Sequence, residues 1–346
     1  MSVQVTPEQM AALRATLLNT SGKTELHERF RALFMLKAVG GDEVINIIAE
    51  GLEDPSPLLK HELAYVLGQL KSSTAVPILE NVLNNPDGKH CAMVRHEAAE
   101  ALGAISDESS LACLRSHLND PAREVRETCE IAVDKIEYDH TPEGLARVPN
   151  PDYPTIDPAP SSEKKPVDEL KAVLLDESQP LFKRYRAMFG LRDYGGASRD
   201  AVRALAEGFG DSSALFRHEI AYIFGQLSSP HSIPSLLKVL KDDKEEDMVR
   251  HEAAEALGGI ASDGTDADMS KDDEPLPEGG VLAILREWAV KQDAPLVVRE
   301  SCQVALDMWE YENSTDQFNP LDSLTAKGNT TGMERSAHAA VAAGAI

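Results

Sequence analysis

Apolar residues recur along most of the chain with the three-and-four spacing of α-helices, in short runs separated by Gly, Pro and polar clusters. In AMVRHEAAEALGAI, Val94, Ala98, Ala99, Leu102 and Ile105 fall on one helical face. The preceding TAVPILENVLNN reads as a shorter first helix. Thr6, Pro7 and Gln9 predict a capping box opening the first helix of the chain. Pro57, Pro121 and Pro295 stand ahead of second helices, where a missing N–H costs little. Gly103 is expected to loosen or end its helix.

The helix pairs repeat with a period of roughly 30–35 residues, the signature of a stacked array. They are also doubled. Glu28–Gly41 matches Lys183–Gly196, Leu58–Leu70 matches Leu215–Leu227, and Val125–Tyr138 matches Val298–Tyr311. MVRHEAAEALG stands without a difference at Met93–Gly103 and Met248–Gly258. The predicted fold is therefore all-α, about eight helix pairs in two pseudo-symmetric halves. The halves are read as residues 1–138 and 170–312, each with four units. A Pro-rich stretch at 139–169 reads as an extended linker, and an acidic insertion at 261–280 as a mobile loop. The tail at 313–346 has no periodicity and is expected to be disordered. The period, the basic residue opening each second helix and the Ala/Leu/Gly pattern resemble HEAT repeats. That resemblance implies a concave face lined by second helices.

Composition narrows the partners. A formal charge of −24 opposes nucleic acid and anionic membranes and suits a basic polypeptide or cationic substrate. No apolar run reaches membrane-spanning length. Cys91, Cys113, Cys129 and Cys302 form no C-x-x-C pair and read as reduced thiols of a cytoplasmic protein.

The candidate chemistry lies in one slot of the repeat. His61-Glu62, His96-Glu97, His218-Glu219 and His251-Glu252 each follow a Lys or Arg near the start of a second helix. The outer units fill that slot with Phe30-Arg31, Glu127-Thr128, Tyr185-Arg186 and Glu300-Ser301, and His27 lies outside it. Four converging carboxylates call for a cation between them unless they protonate or spread apart, since like charges ~5 Å apart repel by roughly 3 kcal/mol at an effective dielectric near 20. Imidazole with carboxylate points to a transition metal rather than calcium or magnesium. His61 can meet His96 and Glu97 across adjacent helices, and His218, His251 and Glu252 repeat the arrangement. Two such triads can hold a metal pair. Open coordination positions suit iron that activates dioxygen, although zinc hydrolases use similar ligands. Glu62 and Glu219 are left to support the ligands, take part in catalysis or bind a cationic substrate. Gly68 and Gly225 are candidates for a substrate's approach, and Met248 for the wall of an apolar channel.

With eight units in two halves and four registered His-Glu pairs, the sequence resembles the deoxyhypusine hydroxylases from about Thr6 to Tyr311. The resemblance implies a monooxygenase with two iron ions, dioxygen as co-substrate and an external reductant. It implies His61, His96, Glu97, His218, His251 and Glu252 as ligands, with Glu62 and Glu219 receiving a polyamine-like side chain. The substrate would be deoxyhypusine on translation initiation factor 5A, and the enzyme is expected to act as a monomer. A non-catalytic HEAT-repeat adaptor holding a basic protein is the alternative.

Overall fold

The computed structural model describes residues 4–262 and 276–313. Within them seventeen α-helices form eight pairs and one short connector. The first half pairs α1 (Pro7–Leu17) with α2 (Leu26–Val39), α3 (Asp42–Gly51) with α4 (Pro57–Gln69), α5 (Val76–Asn84) with α6 (Ala92–Ile105), and α7 (Leu111–Ser116) with α8 (Arg123–Asp139). The connector is α9 (Pro142–Ala146). The second half pairs α10 (Val167–Leu175) with α11 (Leu181–Arg192), α12 (Arg199–Glu207) with α13 (Ala214–Leu227), α14 (Ile233–Lys241) with α15 (Asp247–Ser262), and α16 (Gly280–Val290) with α17 (Leu296–Asn313). No strand occurs among the described residues. The expected capping box at Thr6 is present, with Gln9 Oε1 2.8 Å from the Thr6 amide it accepts from. The acidic insertion lies largely outside the described residues, and the tail beyond Asn313 wholly so.

The basic residue that opens four of the second helices has a shared local task. Arg29, Arg95, Arg184 and Arg250 send Nε to the carbonyls of Leu17, Leu83, Leu174 and Leu240, at the C-terminal ends of the preceding first helices. Those carbonyls have no partner within their own helix, and a guanidinium satisfies both the lone pair and the negative end of the dipole. The Leu-Gly near the end of the unit also has a packing cause. A Cβ on Gly68 would lie 2.7 Å from Ala101 Cα, and one on Gly258 would lie 3.0 Å from Ala305 Cα. Gly103 likewise faces Ala132. It does not end its helix: α6 runs on to Ile105 and stops at Ser106, which takes the left-handed conformation at φ 62°. These glycines set how closely neighbouring second helices approach.

The second helices form the inner layer. α4 packs on α6, α6 on α8, α13 on α15 and α15 on α17. The halves meet twice, at α8 with α11 and α13, and at α17 with α2 and α4, so the inner layer closes into a ring. Equivalent residues build both junctions. Arg31 stacks 4.5 Å from the Tyr311 ring and Arg186 4.9 Å from the Tyr138 ring. Ser56 donates to Glu300, and Ser213 to Glu127. The outer units thus spend the slot that carries His-Glu elsewhere on half-to-half contacts. His27 belongs here too, 3.3 Å from Asp307, which also pairs with Arg31.

The Pro-rich stretch read as an extended linker at 139–169 is not extended throughout: α9 lies within it and α10 begins at Val167, and only residues 147–166 between them form no helix; these are fastened to both halves. Gln69 at the end of α4 exchanges two hydrogen bonds with the Ile156 backbone, at 2.9 and 3.1 Å. The matching residue of α13, Gln226, donates to Thr155 Oγ1 at 2.8 Å. Asp157 makes a buried bidentate pair with Arg192, at 2.8 and 2.9 Å. Residues 155–157 therefore form a strap across the inner ends of the two halves.

Candidate metal centre

α4, α6, α13 and α15 each carry a His-Glu pair in the second turn, and ring closure brings the four pairs together at the centre. The imidazole centroids of His61 and His96 are 5.4 Å apart, and those of His218 and His251 5.5 Å. Contacts between the halves are just as close: His61 to His251 at 5.3 Å, His61 to His218 at 5.9 Å and His96 to His218 at 5.5 Å. All eight residues of the pairs are buried. His61 Nε2 lies 3.1 Å from Glu97 Oε2, and His218 Nε2 lies 3.3 Å from Glu252 Oε2, the same relation in each half.

Potential ligand atoms of His61, His96 and Glu97 fall within 4.8 Å of one another. So do those of His61, His218 and His251, and those of His251, Glu252 and Glu255. The grouping therefore crosses the halves as well as repeating within them. A cavity of about 30 Å³ opens beside the pairs, room for one or two water-sized guests. It is lined by Glu62, Glu97, Glu219 and Glu252 with His61 and His218.

Four further lining residues were not picked out from the sequence: Tyr65, Glu100, Tyr222 and Glu255. Each sits one helical turn after a histidine of the slot, at the i+4 position that shares its face. That spacing was the available signal. The two tyrosine hydroxyls meet across the halves at 3.2 Å. Gly68, Gly225 and Met248 are buried but do not line this cavity; Gly68 lies in the α4–α6 contact.

Among the described residues, both ring nitrogens of His61, His96, His218 and His251 are buried without a hydrogen bond of good geometry, as is Glu219 Oε1. Buried polar atoms are normally satisfied, so such a concentration needs a partner. Imidazole nitrogens and carboxylate oxygens are a donor set for a divalent transition metal, and the residues fit one. Protonation is shifted accordingly. Burial presses His61 down to about 4, and neighbouring His218 acts in the same direction. Burial also lowers His96 and His251, helped by the other imidazoles. Burial raises Glu97 to about 8, with Glu252 adding to the shift. Glu62 and Glu219 are raised by burial and by surrounding carboxylates. A bound cation reverses this logic, because it stabilises the ionised carboxylates and needs neutral imidazoles.

Residues 45–134, 167–258 and 203–307 match the family described as HEAT repeats, which together with the paired helices makes this a HEAT-repeat protein with a His/Glu centre. A deoxyhypusine hydroxylase of Cryptococcus neoformans is 70% identical over 99% of both chains. One of Mus musculus is 46% identical over 92% of this chain and 97% of its own. The solved structure of human deoxyhypusine hydroxylase in complex with glycerol superposes with a TM-score of 0.77 at 46% identity, covering 88% of this chain and 96% of that one. The chain belongs to the deoxyhypusine hydroxylase family.

Proposed function

We propose that the His-Glu cluster beside the cavity holds two iron ions and that the enzyme hydroxylates the deoxyhypusine side chain of translation initiation factor 5A, completing hypusine. Dioxygen is the co-substrate and an external reductant supplies electrons. His61, His96 and Glu97 hold one ion, and His218, His251 and Glu252 hold the other. The observation that carries this reading is the set of buried imidazole nitrogens without hydrogen-bond partners among carboxylates. When bound, the metal pair supplies the oxidising power to break an unactivated C–H bond, which no side chain possesses.

The chain's own residues prepare the substrate. Burial and the surrounding carboxylates raise Glu62 and Glu219, and an ammonium beside either one favours its ionised form, so the incoming cation and the carboxylate stabilise each other. The Tyr65–Tyr222 hydroxyl pair narrows the space beside them and limits water around the reacting carbon. The charge of −24 favours approach of a basic protein, and the enzyme acts as a monomer in the cytoplasm. A non-catalytic adaptor is less well supported, because an adaptor gains nothing from buried, unpartnered imidazoles.

Metal analysis of purified protein, combined with turnover of a peptide bearing deoxyhypusine, tests the reading. Near two irons per chain and a mass gain of one oxygen atom are expected. Iron-free protein that still modified the peptide would overturn it.

A further inference from the structure

The strap lies over the way into the centre. Two layers of side chains line the cavity: the buried His-Glu pairs, and Tyr65, Glu100, Tyr222 and Glu255 one turn further along their helices. The second layer is only half-buried, so the cavity reaches solvent on that side. Gln69 and Gln226 stand one more turn along α4 and α13, on the same faces as the tyrosines, and both hold the strap. The strap therefore crosses the mouth.

It does not cover the mouth evenly. Around the ring the inner helices follow one another as α2, α4, α6, α8, α11, α13, α15, α17 and again α2. The Tyr65–Tyr222 contact joins α4 to α13, which stand opposite each other, and divides the mouth in two. One part is bounded by α6, α8 and α11, the other by α15, α17 and α2. Among the described residues, the strap and the chain around it bond to α4, α13 and α11 or to Asp193 at its end. Thr155 also reaches the Tyr222 hydroxyl, and the connector α9 packs on α8. The covering thus lies over the first part.

Matched residues record the difference. Arg192 of α11 and Lys37 of α2 take the same place in the repeat. Arg192 is 1% exposed, paired with Asp157 and 4.3 Å from the Tyr153 ring, and Asp157, Pro158, Ala159 and Pro160 are buried with it. Lys37 is half-buried, with its ammonium 5.2 Å from the Tyr65 ring and no hydrogen bond or ion pair among the described residues. The described chain passes from one half to the other once, between α8 and α11, and the α17–α2 junction has no counterpart of the strap among those residues.

We propose that the centre has a single entrance, in the part of the mouth bounded by α2, α15 and α17 with Lys37 on its rim, and that the strap shuts the other part. A substrate side chain then comes in past Lys37 and Tyr65, and the polypeptide that bears it rests against α2 and α17. The identity of that substrate rests on the function proposed above; the position of the entrance does not. A nearly two-fold cavity is thereby given one direction of approach.

Site-directed blocking of the full-length, iron-loaded protein tests it. Cys91→Ser and Cys113→Ser remove the two cysteines that a maleimide can reach, since Cys129 and Cys302 are buried. A new cysteine is then placed on the open rim by Lys37→Cys or on the exposed outer side of the strap by Pro154→Cys, and each is labelled with a bulky maleimide. With a short peptide bearing deoxyhypusine, the label at Lys37→Cys raises KM about ten-fold or more, or stops turnover, at unchanged iron content. The label at Pro154→Cys changes KM by less than about two-fold. Lys37→Trp, which adds bulk without a label, raises KM in the same direction. The entrance is misplaced if the two labels act equally, if the strap label acts more strongly, if Lys37→Cys does not react, or if its label expels iron. Absence of turnover in the unsubstituted protein would overturn the functional reading instead. The entrance is then read from the rate at which a chelator removes bound metal, which the label at Lys37→Cys slows and the label at Pro154→Cys does not; equal rates would overturn it.

Discussion

His61 is the residue on which the centre converges. It belongs to two of the three ligand groupings, faces three other imidazoles and approaches Glu97. His61→Ala and His218→Ala should each lower iron content and reduce turnover by at least the ~100-fold that loss of a mere supporting group can cost. Normal turnover in either variant would exclude a mechanism needing both metals. The protonation shifts give a second expectation. His61, pressed down to about 4, is already neutral above pH ~5 and adds no pH dependence there. Glu97, raised to about 8, still holds its proton at neutral pH, so an entering metal must displace it. Metal affinity should therefore rise with pH up to about 8, approaching ten-fold per unit for each proton displaced, then level off. Calorimetric titration of metal-free protein in buffers of differing ionisation enthalpy measures that proton release; a flat affinity between pH 6 and 8 would contradict it. The His-Glu pairs were legible because a polar dipeptide held in register through apolar repeats has no packing cause. Glu100, Glu255 and the tyrosines escaped notice because each is an ordinary helix-surface residue until ring closure turns its face inward.

At the scale of elements, the strap is where pattern reading reached its limit. Residues 147–166 form no helix, but α9 shows that proline content does not exclude one across the whole of 139–169, and composition does not say what an extended segment touches. Asp157 and Arg192 lie on the strap and α11, and their pairing is a tertiary fact. Arg192 is 1% exposed, so removing its counter-charge leaves a buried guanidinium with Gln226 and Asp193 as its remaining hydrogen-bonding side chains, over the Tyr153 and Phe189 rings. Asp157→Asn should cost about 3–5 kcal/mol in denaturant unfolding. Asp157→Asn combined with Arg192→Met should recover part of that loss, since a buried pair is replaced more cheaply than broken. Equal destabilisation of the single and double variants would show that the strap depends on Asp157 for something other than charge. The helices themselves were more legible. Their apolar spacing, caps and opening basic residues are local signals, whereas the fit of Gly103 against Ala132 depends on a neighbouring helix that the local pattern does not show.

At the scale of the whole molecule, doubling of the sequence announced two matched halves but left their relation open. The closed ring supplies it. The centre is shared between halves, with His61 and His251 in contact across the gap, so its geometry depends on both junctions holding. Arg31 and Arg186 are the matched residues there, one paired with Asp307 and stacked on Tyr311, the other paired with Glu143 and stacked on Tyr138. Either arginine changed to Ala should cost about 1–3 kcal/mol, within the range for a surface-proximal pair with packing. Substitutions this far apart with no shared partner ordinarily add. A ring behaves otherwise: with one junction loosened, the other and the strap still hold the halves in register, whereas loosening both frees them to separate. Arg31→Ala with Arg186→Ala should therefore release iron to a chelator faster than the product of the two single effects predicts, while each half keeps its helical content by circular dichroism. Simple additivity in that release rate would mean that each half holds its metal unaided, and that ring closure serves only stability.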